Sequence, residues 1–153
     1  MEKTKYVAFS TQKGGAGKTT LTVLVASYLH YVKGYNVAII DCDHPQYSIS
    51  GIRSRDTEAT VKDAHYKKMA YEQIKKLNKK PYPVTKSKAE DALEVAEKMK
   101  AKHPTLDFIF FDLPEPQTQR CDLLGFQDES YLHADYSRPC GIDKFHRICQ
   151  DYQ

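Results

Sequence analysis

The stretch STQKGGAGKTT (10–20) restricts the possible folds more than any other part of the chain. Before it runs KYVAFS (5–10), short and apolar enough to read as a buried strand. After it, KTTLTVLVASYLHYVK (18–33) carries apolar side chains at Leu21, Leu24, Val25, Tyr28, Leu29 and Val32. That spacing is helical, and Gly34 stands just beyond as a natural stop. NVAIID (36–41) is a second apolar, β-branched run of strand length. Two strands joined by a helix make a βαβ unit, and a βαβ unit requires a parallel sheet.

Glycines between a strand and a helix let backbone N–H groups converge on phosphate oxygens, and the helix N-terminus adds its positive dipole end. In this arrangement, a P-loop, Lys18 reaches the β- and γ-phosphates and the Thr19 hydroxyl binds Mg²⁺. The plain alternative is a glycine turn with incidental lysines. Strand before and helix after favour the phosphate reading, because context is what confirms such a motif.

The loop departs from the common G-x-x-x-x-G-K-[ST] pattern. Gln12 takes the first glycine position, and Lys13 precedes Gly14, Gly15, Ala16, Gly17, Lys18, Thr19 and Thr20. KGGAGKT thereby resembles the deviant Walker A of the ParA/MinD family of ATPases. The resemblance implies an ATP-bound homodimer in which Lys13 reaches the partner's nucleotide and stabilises charge on the transferred phosphoryl group. IIDCDHPQ (39–46) resembles the family's D-x-D-P-Q segment, with His44 inserted before Pro45. By that resemblance Asp41 joins the Mg²⁺ and water network and Asp43 orients the attacking water. FIFFD (108–112) resembles a Walker B strand, which implies that Asp112 holds Mg²⁺ through water. STQKGG and DFIFFDLP look most like ParA-type proteins of conjugative elements.

The matched region covers about residues 4–114. It implies a three-layer α/β P-loop NTPase with a mostly parallel sheet, incomplete at its C-terminal end. The implied activity is Mg²⁺-ATP hydrolysis serving DNA partition or maintenance and transfer of a mobile element, with a partner protein that stimulates it. An iron-protein type of metal-cluster carrier shares the deviant loop, but no cysteine pair in the matched region could bridge a cluster.

Between these motifs the chain reads as helical and polar. In VKDAHYKKMAYEQIKKLNKK (61–80), Tyr66, Met69, Ala70, Ile74 and Leu77 line one face, expected inward. Lys67, Lys68, Lys75, Lys76, Lys79 and Lys80 form an outer face that is either solvated or a non-specific DNA contact. Ser87, three residues before Glu90, reads as a capping box. It opens a helix with Ala89, Ala92, Leu93, Ala96 and Met99 inward, ended by His103-Pro104.

The 153 residues suffice for one domain, and no apolar run approaches the roughly 20 residues of a membrane span. A cytoplasmic address follows by default, with Cys42, Cys121, Cys140 and Cys149 as free thiols.

After Pro114 the character changes. Residues 115–153 show neither helical nor strand period and resemble nothing in the family. SYLHADYSRPCGIDKF (130–145) can be back-translated so that the neighbouring frame reads HIFTPITADRVVLTS, an apolar strand followed by Thr-Pro and a helix start. The expectation is an out-of-frame, poorly ordered tail, an exposed apolar sheet edge, and no metal role for Cys140, His146 and Cys149. On this second reading the chain is a truncated product without catalytic activity, at most a weak nucleotide binder.

Overall fold

The computed structural model describes residues 4–10, 17–114 and 131–135, with Ser10 and 131–135 described by backbone alone. Five strands form one sheet: β1 (Lys5–Ser10), β2 (Val37–Asp41), β3 (Val84–Lys86), β4 (Phe108–Asp112) and β5 (Tyr131–Asp135). Their order is β3-β2-β4-β1-β5, and every pairing is parallel. The α/β expectation therefore holds, including its parallel sheet.

Both sheet faces are covered, which is why β2 and β4 are continuous apolar runs with every residue buried. Alternation divides their side chains. Ala8, Ala38, Ile40, Ile109 and Phe111 pack with Ala92, Ala96 and Met99 of α4 (Ala92–Lys102). Val7, Phe9, Val37, Ile39, Phe108 and Phe110 pack with Val25, Ala26 and Leu29 on the other face. The result is three layers around two half-cores.

The first helix, α1 (Lys18–Ser27), runs on into a π-turn at Tyr28–Val32, and Gly34 follows with φ of 83°. Its start and stop agree with the sequence, but its buried face does not. Thr22, Val25, Ala26, Leu29 and His30 are buried, whereas Leu24 is 61% and Val32 69% exposed. Small Thr22 and Ala26 let the helix lie close to the sheet, and that contact, rather than the bulkiest stripe, sets its rotation.

Between β2 and β3 stand α2 (Ser48–Lys62) and α3 (Ala64–Leu77). Asp63 separates them, and its side chain accepts a hydrogen bond from the His65 N–H as the cap of α3. At about 1.5 Å per residue the two helices are roughly 22 and 21 Å long. Only Ile49 and Ser50 of α2 are buried, and no residue of α3 is. The inward face expected at Tyr66, Met69 and Ile74 is thus an exposed one, because α3 packs on α2 and not on the sheet.

The end of this excursion is fastened. The Lys79 ammonium donates to the carbonyls of Gly34 (2.5 Å) and Tyr35 (2.6 Å) and to Asn36 Oδ1 (3.3 Å). Burial lowers its pKa and Asp107 partly restores it. Lys79 therefore ties the end of α3 to the start of β2 and does not belong to the outer basic face.

Three further local expectations are corrected. Ser87 does not cap a helix: its hydroxyl donates to the Lys88 carbonyl at 2.8 Å, and α4 is entered through a 3₁₀ turn at Ala89–Asp91. Helix α3 ends at Leu77, before PYPV (81–84), with Asn78 in the left-handed region as its cap, and Val84–Lys86 then pairs with β2. The tail, read as lacking strand character, supplies β5, paired with β1 from Tyr6↔Tyr131 to Ser10↔Asp135. The edge of β1 is accordingly covered rather than open. Residues 115–130 and 136–153, which include Cys121, Cys140, His146 and Cys149, lie outside the described residues. No helix among the described residues is long and apolar enough to cross a membrane.

Candidate nucleotide-binding site

The strand order places β2 and β3 on one side of the β4–β1 pair and β5 on the other. At such a switch in a parallel sheet, the carboxyl ends of the strands frame a crevice where ligands bind. The strand β1 leads into the glycine loop there, and β4 ends there at Asp112.

Lys13, Gly14, Gly15 and Ala16 lie outside the described residues. Gly17 precedes α1 with φ of 80°, a backbone that L side chains rarely adopt. Its carbonyl accepts the Leu21 N–H at 2.9 Å, the first turn of the helix. Lys18 and Thr19 occupy that first turn half-buried, and Thr20 is exposed.

Asp41 and Asp112 are register partners at the ends of β2 and β4, and both carboxylates are buried. Asp41 is held on two sides. Its Oδ2 accepts the Ser50 N–H at 2.8 Å and its Oδ1 the Asp43 N–H at 3.4 Å. The first of these satisfies a backbone donor in the opening turn of α2, so the carboxylate sits at the positive end of that helix.

Asp112 is less fully supported. Its Oδ2 has no hydrogen-bond partner among the described residues. Burial, joined by the charges of Asp41 and Asp43, pushes its carboxyl up to about 6, against the pull of a Thr19 hydrogen bond and of Lys18. Lys18, Thr19, Asp41 and Asp43 thus all act on one buried carboxylate. The thiol of Cys42, between the two strand ends, is pushed up to about 12 by burial and by Asp41 and Asp112, and is inert at neutral pH.

The His44 insertion is absorbed in a tight turn. The His44 N–H donates to the Cys42 carbonyl (2.8 Å), and the Tyr47 N–H to that of Asp43 (2.7 Å). His44-Pro45 is a cis peptide, and His44, Pro45 and Gln46 are exposed. Asp43 lies near enough to Asp112 for its charge to act on that carboxyl. Nothing in the residue order marks Ser50 as the group that orients Asp41.

The donor set suits a magnesium ion. Among the described residues no three His, Cys, Asp or Glu side chains form a closed metal cage. Mg²⁺ does not need one, since it keeps several waters and takes one or two protein oxygens plus substrate phosphates. The Thr19 hydroxyl and the unpartnered Asp112 oxygen fit that demand.

A parallel sheet flanked by helices on both faces, with a Lys-Thr helix start facing an acidic strand end, defines a P-loop NTPase fold. A family model described as ATPase MipZ matches residues 5–125, somewhat further than the 4–114 expected from the motifs. The chain belongs to this family of ParA/MinD-like P-loop ATPases. It is 42% identical over 72 residues to the uncharacterized protein BBD21 of Borreliella burgdorferi, a match spanning 46% of this chain and 28% of the relative. No solved structure matches the chain.

Proposed function

We propose that the chain binds Mg²⁺-ATP and hydrolyses it as a nucleotide-switched dimer of the ParA type, in DNA partition or the maintenance and transfer of a mobile element. The observation that carries this reading is the gathering of Lys18, Thr19, Asp41 and Asp43 around the buried Asp112 carboxylate. Lys18 binds the β- and γ-phosphates, and the loop glycines offer their N–H groups to the same oxygens. Thr19, with Asp112 through water, holds Mg²⁺, and Asp41 keeps the water network in place. Held there, Mg²⁺ would supply positive charge that offsets the negative charge developing on the transferred phosphoryl group. Asp43 orients the attacking water, and Lys13 stabilises the transferred phosphoryl group across the dimer, as in the deviant Walker A of this family. A hydrolysis-stimulating protein and non-specific DNA complete the set of partners.

The test is ATP turnover by the full chain with and without Mg²⁺, beside Lys13→Ala. Expected is Mg²⁺-dependent phosphate release, lowered at least about tenfold in the variant, the scale of removing one preorganised charge. Turnover that ignores both Mg²⁺ and Lys13 would exclude the mechanism.

A second reading is favoured by the tail. With suitably chosen synonymous codons, back-translation of 130–145 gives a neighbouring frame with HIF at about the position of β5, followed by Thr-Pro. On this reading residues after Pro114 are translated out of frame, and the chain is a relic with at most weak nucleotide affinity. Sequencing the coding DNA from codon 100 onward decides it. A neighbouring frame that continues TPITADRVVL into a full-length ATPase supports the relic; a frame closed by early stop codons removes it.

A further inference from the structure

The excursion formed by α2 and α3 is the part of the molecule that nucleotide chemistry does not explain. At 100° per residue, Met69, Gln73, Tyr66, Leu77, Ala70 and Ile74 fall within an arc of about 140° on α3. An arc of that kind belongs in a core, yet Tyr66 is 52%, Met69 53% and Ile74 38% exposed. Val61, beside the corner between the helices, is 76% exposed.

The charges around this arc share one sign. Lys67 borders one side and Lys76 the other, with Lys68 and Lys75 behind them on the polar face. Glu72 is the lone acidic residue of α3, and it pairs with Lys68 at 3.9 Å. Two copies meeting through this arc would set lysine rim against lysine rim in either orientation, which is repulsive. Duplex DNA would engage the lysine face and leave Tyr66, Met69 and Ile74 in water, so it does not account for them.

We propose that α3 is a docking face for an anionic lipid surface, lying in the headgroup plane with Tyr66, Met69 and Ile74 turned into the acyl boundary. A short helix of low overall hydropathy, apolar on one side and lysine-rich on the other, has the chemistry of an interfacial rather than a spanning helix. Lys67 and Lys76 flank the arc, where their stems lie along apolar surface while the ammonium groups reach phosphate. The face is borne on an excursion whose end Lys79 fastens to the start of β2. The inference is independent of nucleotide binding.

The experiment is co-sedimentation of the full chain, without nucleotide, with vesicles of phosphatidylglycerol and phosphatidylcholine or of phosphatidylcholine alone. Expected is at least about tenfold tighter binding to the anionic vesicles, declining with salt. Met69→Asp and Ile74→Asp are each expected to lower it by about tenfold, and Lys76→Glu by about fivefold. These side chains are at least one-third exposed, so circular dichroism should report an unchanged fold. Absence of binding to anionic vesicles overturns the proposal. So does binding that weakens in Lys76→Glu but not in Met69→Asp or Ile74→Asp, which would mean attraction by charge alone. Self-association lost in Met69→Asp would assign the face to a second copy, and duplex-DNA binding lost only in Lys76→Glu, without vesicle binding, to nucleic acid; either overturns it.

Discussion

Replacing Lys18 with alanine is expected to lower affinity for Mg²⁺-ATP by at least about 100-fold, close to 3 kcal/mol. The ammonium is the one cation that the described part of the site presents from the first turn of α1, and it acts on Asp112 already without ligand. Its loss removes charge-assisted hydrogen bonds to two phosphates that backbone N–H groups alone cannot replace. Lys18 is half-exposed and outside both half-cores, so the fold should survive the change. Titration calorimetry gives the affinity, and thermal unfolding of the ligand-free variant checks the fold. Affinity within about threefold of the parent would remove Lys18 from the phosphate site.

The second large effect concerns Asp112 and needs no nucleotide. Its carboxyl is raised from 3.8 to about 6, with burial the leading cause. A raised carboxyl means that the folded chain holds the proton more tightly than the unfolded one. The Asp112 contribution to ligand-free stability should therefore be largest below about pH 4 and fall as pH rises from about 4 to about 6, levelling off above. A shift of roughly two units corresponds to on the order of 3 kcal/mol. Asp112→Asn keeps the shape and removes the buried charge. It should flatten that slope and leave the ligand-free chain about 2–3 kcal/mol more stable at pH 7, while weakening Mg²⁺-dependent nucleotide binding. Urea unfolding at pH 4, 5, 6 and 7 measures both chains. Equal slopes in the two would mean that Asp112 carries no such charge penalty. Mg²⁺-ATP should reverse the trend in the parent, because the ligand binds the ionised form.

Much of the fold could be read from residue order because local signals agreed with one another. Gly34 stops α1 where its backbone needs a positive φ, and the unbroken apolar run of β4 fits a strand buried on both faces. Lys18, Thr19, Asp41 and Asp43 come from separated segments and all act on Asp112 in the fold. What failed was the direction of faces. Periodicity marks which side of a helix is apolar, not what the side meets. On α1 the close approach of Thr22 and Ala26 to the sheet outweighed bulk at Leu24 and Val32. On α3 the apolar arc meets α2, leaving Tyr66, Met69 and Ile74 exposed. The strands β3 and β5 were missed because pairing with a neighbour, rather than their own pattern, makes them strands. The Ser50 support for Asp41 depends on where α2 begins, which the polar SISGIRSRD run did not announce.

The most direct test of the account is titration calorimetry of the full chain with ATP in the presence of Mg²⁺, repeated with EDTA. The expected result is saturable binding of one nucleotide per chain, with affinity lost when Mg²⁺ is withdrawn. Absence of binding at millimolar ATP, from a chain shown by circular dichroism to be folded, would contradict the claim that this site holds a nucleotide.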